Sequence, residues 1–94
     1  QPSEGFTYTW DFAAPAGARV DIASIRINGT PIVPTQAYRI TVNSFLAEGG
    51  DNFAILREGT NRLGGALDID ALIAYLQARS PVAPVTAGRI TRLN

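Results

Sequence analysis

The chain has 94 residues, 46% apolar and 17% charged, which bounds it to one globular domain with a modest core and excludes a disordered segment. Eight basic residues, all arginine, balance eight acidic ones without forming a cluster, so the electrostatics count against nucleic acid or a membrane surface as partner. Cys and His are both absent, which removes the commonest transition-metal ligands and with them Ser-His-Asp and Cys-His nucleophile systems. No apolar run is long enough to span a membrane and no signal-peptide pattern opens the chain, whose Gln1-Pro2-Ser3 start suits a mature or trimmed segment.

Taken in order, residues 5–12 place aromatics at Phe6, Tyr8, Trp10 and Phe12 with small or polar residues between them, a period of two that predicts a strand with one aromatic face. Such a face packs a sheet against another layer more often than it stacks bases or sugars. Pro15 and Gly17 make 13–19 a loop. Residues 20–28 alternate again, with a register change near Ala23-Ser24 that a bulge would reconcile. Asn28-Gly29 before Thr30-Pro31 is a tight-turn signal, so Ile32 and Val33 are expected to complete a hairpin. In 38–42, Tyr38, Ile40 and Val42 share one face opposite Arg39 and Thr41, which predicts a further strand.

That segment leads into Asn43-Ser44-Phe45-Leu46-Ala47-Glu48-Gly49-Gly50-Asp51-Asn52-Phe53. Two adjacent glycines let the backbone approach a ligand closely, Phe45 offers a flat apolar face and Asp51 two acceptor oxygens. The combination suits a nucleoside, whose base stacks and whose ribose diol donates hydrogen bonds. By spacing alone it more often marks a Gly-Gly turn capping a helix that starts near Asp51, with Phe45 and Phe53 in the core, since loops built this way are common in domains with no ligand. Residues 53–56 suit a helical turn or a short strand, and Gly64-Gly65 marks 61–66 as a connection.

The spacing predicts a helix from Asp68 to Arg79, with Asp68 as N-cap, Leu67 and Leu72 as a hydrophobic staple, and Leu72, Ile73, Tyr75 and Leu76 as the buried stripe. Asp70 and Arg79 complement the helix dipole at its two ends. Pro81 and Pro84 stop the helix, and residues 89–93 alternate as a terminal strand whose arginines face away from Ile90 or Leu93. The order of elements predicts an α+β domain with a mainly antiparallel sheet and one helix near the C-terminal end.

Read together, these segments resemble the latter part of the C-terminal, nucleotide-binding domain of the 5′-nucleotidase family, which includes UDP-sugar hydrolases and 2′,3′-cyclic phosphodiesterases. The resemblance runs in order through 5–12, Pro15-Ala16-Gly17-Ala18-Arg19-Val20, Ile25-Arg26-Ile27-Asn28-Gly29-Thr30-Pro31-Ile32, Tyr38-Arg39-Ile40-Thr41-Val42, the 43–53 loop, the Asp68 helix and Gly88-Arg89-Ile90. It implies that residues 1–94 form a single, truncated substrate-binding domain of that fold. Carried over by position, it makes Phe45 the base-stacking residue and Asp51 the acceptor for ribose hydroxyls, with Asn43, Gly49 and Gly50 shaping the loop and Phe53 in the core.

The family's di-metal centre lies in a separate N-terminal metallophosphatase domain. The second aromatic of the base clamp and the phosphate-binding arginines lie in an upstream part of the C-terminal domain. The resemblance therefore implies no catalytic residue and no cofactor in this chain, divalent ions in the N-terminal domain, and no hydrolysis by this chain alone. It further implies a nucleotide or nucleoside substrate, the N-terminal domain as intramolecular partner, and an extracellular, cell-surface or periplasmic location. Glu48 and Asn52 touch the base edge or nothing at all. The competing reading is a non-catalytic structural or interaction module that kept the fold and lost the ligand. Apolar surface left open by truncation is expected to drive self-association, with the strand at 6–12 as the pairing edge.

Overall fold

In the computed structural model, which describes residues 2–94, the chain separates into two units: the chain up to Ala37 together with Pro84–Asn94, and Tyr38–Ala83. The first holds a sheet of four strands, β1 (Phe6–Asp11), β2 (Val20–Ile27), β3 (Thr30–Pro31) and β4 (Ile90–Leu93), in the order β3-β2-β1-β4. β1 pairs antiparallel with β2, β2 antiparallel with β3, and β1 parallel with β4. The second holds two helices, α1 (Ser44–Ala47) and α2 (Asp68–Arg79), with 3-10 turns at Gly50–Asn52 and Ala54–Glu58. The fold is α+β, a mixed sheet with one main helix.

The aromatic alternation of β1 survives as geometry. Phe6 and Tyr8 meet edge-to-face with ring centroids 6.0 Å apart, and Trp10 and Phe12 at 5.9 Å, as side chains on one face of a strand must. Arg92, opposite Trp10 in the parallel ladder, lays its guanidinium 5.7 Å from the Trp10 ring and 4.2 Å from Phe12, while Arg19 reaches Phe12 at 5.3 Å. The terminal arginine faces the aromatic ladder. At partly exposed sites each such contact contributes about 0.5–1 kcal/mol.

The bulge expected near Ala23-Ser24 is present. The pairing passes from Thr7–Arg26 to Thr9–Asp21 with a register shift, and Ser24 bridges the gap. Its Oγ accepts the Thr9 N–H at 2.8 Å and donates to the Asp21 carbonyl at 2.6 Å, replacing ladder bonds that the extra residues break. Asn28 and Gly29, at φ 50° and 80°, form the two-residue turn between β2 and β3.

Several expectations fail. The strand after the turn is Thr30–Pro31, not Ile32-Val33, because Pro31 ends the ladder on one side and only Ile32 N–H continues it, to the Ile25 carbonyl at 3.2 Å. Residues 38–42 form no strand: their unit contains no other strand among the described residues, and alternation without a neighbour makes no ladder. β1 cannot serve as an open pairing edge, since β2 and β4 occupy both of its sides.

α2 has the expected span but a different start. Leu67 is the N-cap, with no side-chain cap bond, and Asp68 is the first helical residue, its Oδ1 accepting the Ile69 N–H at 2.8 Å. The Leu67–Leu72 staple spacing is lost with that one-residue shift. Leu72, Ile73, Tyr75 and Leu76 share helical spacing yet are all exposed, because periodicity defines a face and not what covers it. None of the described residues is fully buried, and β1 is half-buried along its length.

Ser24→Ala removes both bridging bonds at the bulge and leaves the Thr9 N–H and Asp21 carbonyl without them. Denaturant unfolding is expected to show a loss of about 1–2 kcal/mol, and an unchanged midpoint would remove the bridge from the account.

Candidate functional site

The loop at 43–53 is two short turns in succession, α1 and the 3-10 turn at Gly50–Asn52, with a third following at Ala54–Glu58. Asn43 begins the first: its side-chain oxygen accepts the Leu46 N–H at 2.8 Å, the N-cap bond that lets a helix as short as α1 start at a defined residue. Gly49 ends it, in the left-handed region at φ 88°, and returns its N–H to the Leu46 carbonyl at 2.9 Å. Arg62 fastens the same end, donating to the Ala47 carbonyl and to Glu48 Oε1, each at 3.1 Å. The ion pair is exposed and contributes under about 1 kcal/mol, but it occupies Glu48, which is therefore not a free group over a ligand.

The side chain of Phe45 returns over the glycine pair. A Cβ built at Gly50 would fall 2.5, 2.6 and 2.7 Å from Cε1, Cζ and Cδ1 of the Phe45 ring. Nearly equal distances to three consecutive ring atoms mean that the ring covers Gly50 with its face. Gly50 is thus required for space, whereas Gly49 is required for its backbone conformation. Phe45 is 58% exposed, so the opposite side of the ring is open.

Asp51 and Asn52 follow at φ 53° and 65°, two successive non-glycine residues in the left-handed region, which Asp and Asn tolerate better than other side chains. The Asp51 carboxylate is exposed and has no hydrogen bond or ion pair among the described residues. Asp51 starts no α-helix: Gly50–Asn52 is a single 3-10 turn, closed by Phe53 N–H on the Gly50 carbonyl at 3.1 Å. Residues 54–58 form the helical alternative rather than the short strand. Neither phenylalanine is in a core, Phe53 being 53% exposed.

The structure thus brings Phe45 and Gly50 into contact, places Asn43 and Gly49 at the two ends of α1, and leaves Asp51 unengaged beside Gly50. Two open concavities are lined by Gly17, Ala18, Arg19, Val20 and Ile22, and by Val85, Ala87, Gly88, Arg89 and Ile90, and neither includes a loop residue. The loop is an open platform. Its chain order did not reveal Arg57, whose side chain lies against Gly49, because that contact depends on how the 3-10 turns reverse the backbone. No group of three or more acidic side chains among the described residues is placed to hold a metal ion.

An α+β chain that carries an aromatic-glycine-carboxylate loop has relatives among known proteins. The chain belongs to the 5′-nucleotidase C-terminal domain family, whose model matches residues 1–58 and so takes in the whole loop. It is 42% identical over 64 residues to an apyrase of Anopheles gambiae, covering 68% of this chain and 11% of that protein. A 5′-nucleotidase-related protein of Glossina morsitans morsitans is 35% identical over 94 residues, covering 93% of this chain and 17% of the relative. A 5′-nucleotidase of Diplobatis ommata is 32% identical, covering 92% and 16%. The chain therefore spans less than a fifth of the length of these relatives.

A glycine beneath an aromatic face has a direct spectroscopic signature. The Gly50 Hα resonance is expected to lie upfield, shielded by the Phe45 ring, and to return to an ordinary glycine position in Phe45→Ala. An unshifted Gly50 Hα in the native chain would contradict the packing.

Proposed function

We propose that this chain is the nucleoside-reading part of an enzyme that hydrolyses nucleotide phosphate esters, with the reaction carried out in a separate domain of the same protein. The observation that carries this reading is the Phe45 ring, fixed on one face by Gly50 and open on the other. A base stacked on the open face gains on the order of 1–3 kcal/mol. Asp51 is unengaged and held in a backbone conformation that costs free energy, which supports its role in this reading as acceptor for the ribose hydroxyls. Asn43, Gly49 and Gly50 hold the loop and make no contact with the ligand in this account.

Support comes from the family and from relatives named apyrase and 5′-nucleotidase. In this reading a metallophosphatase domain N-terminal to the chain would hold divalent ions, which when bound would supply activation of water at the phosphate ester. The chain's own residues bind and orient the nucleoside and move no proton. The partners proposed are the nucleotide and that domain, and the location is outside the cytoplasm. No helix among the described residues is long and apolar enough to cross a membrane.

Phe45→Ala in the full-length protein is expected to raise KM for a nucleoside monophosphate by about 5- to 150-fold with kcat within about twofold, the equivalent of losing one stack. Unchanged KM would favour a module that kept the fold without the ligand. Asp51→Asn is expected to reduce the preference for ribonucleotides over 2′-deoxyribonucleotides by roughly tenfold or more, as loss of a hydrogen bond to a charged acceptor requires. A preference identical to native would remove Asp51 from ribose recognition.

A further inference from the structure

The consecutive glycines are each covered by a different side chain. Phe45 lies over Gly50, and Arg57, from the second 3-10 turn, lies over Gly49: its Cγ, Cδ and Nε are 3.4, 3.2 and 3.1 Å from where a Cβ at Gly49 would stand. α1 packs against both 3-10 turns, so this contact closes the three-turn unit on itself. We propose that Arg57 is a positioning residue of the nucleoside site, its stem seated on Gly49 so that the Gly49-Gly50 backbone stays beneath the Phe45 ring. This rests on the nucleoside-reading role proposed above.

The loop needs such a brace. α1 has four residues, too few to hold itself by backbone bonds alone, and the backbone that follows is left-handed at Gly49, Asp51 and Asn52. The contact is made by the stem out to Nε, the innermost nitrogen of the guanidinium. Arg62 is tied to Glu48 and the Ala47 carbonyl, and Arg39 to the Asn61 carbonyl at 3.2 Å, whereas the Arg57 guanidinium has no hydrogen bond or ion pair among the described residues. Its methylenes and Nε cover the glycine while the residue as a whole stays exposed, a division of labour long cationic side chains commonly adopt.

The test compares Arg57→Ala, Arg57→Met and Arg57→Lys in the full-length protein, with Phe45→Ala alongside and the 5′-monophosphates of adenosine and uridine as probes. Arg57→Ala is expected to raise KM by about fivefold with kcat within about twofold, and Met and Lys, which keep a stem, to stay within about twofold of native in both. The upfield shift of the Gly50 Hα should shrink in Arg57→Ala and persist in Arg57→Met, a readout independent of turnover. An unchanged KM in Arg57→Ala, where Phe45→Ala raises it, overturns the brace and leaves the nucleoside reading standing. Arg57→Met as impaired as Arg57→Ala also overturns it, since the charge would then be what matters. An unchanged KM in Phe45→Ala overturns both.

Discussion

The Phe45 ring occupies the space that any side chain at position 50 would need, and the rest of the loop is arranged around that contact. Its consequences run in both directions along the chain. Upstream, Asn43 must cap α1 where it does, because Phe45 reaches Gly50 only from the first turn of a helix that starts at Ser44. Downstream, Gly49 must turn left-handed to bring Gly50 back beneath the ring, and Asp51 and Asn52 continue in that unusual conformation. An aromatic supported on one face loses less freedom on receiving a flat group on the other than a mobile one would.

The sheet was legible where the pattern is local. Alternation of large aromatics specified β1 and its face, the Asn28-Gly29 pair specified the hairpin turn, and the phase change in β2 specified a bulge, although nothing in the pattern identified Ser24 as the group that bridges it. It was illegible where structure depends on a neighbour. Residues 38–42 alternate as well as β1 does, yet their unit holds no strand among the described residues, and the apolar stripe of α2 marks a face that the described residues leave exposed. The parallel β1–β4 pairing joins strands at opposite ends of the chain, a contact that local periodicity does not encode.

The loop divides along the same line. An aromatic, a glycine pair and a carboxylate at that spacing pointed to Phe45 and Asp51, while spacing alone fitted a helix start and two core phenylalanines better. The geometry settles the local question: both phenylalanines are exposed and the turn at Asp51 is a 3-10 turn. Glu48, readable as a base contact, is held by Arg62 across 14 positions of sequence, and Arg57 over Gly49 is likewise visible only once the backbone has folded back.

The account stands most directly on where a base sits. A crystal structure of the full-length protein with a nucleoside 5′-monophosphate bound should show the base against the open face of Phe45, with Gly50 on the other side of the ring and a ribose hydroxyl donating to Asp51. A base bound elsewhere, with the Phe45 ring lifted off Gly50 or left uncovered, would contradict it.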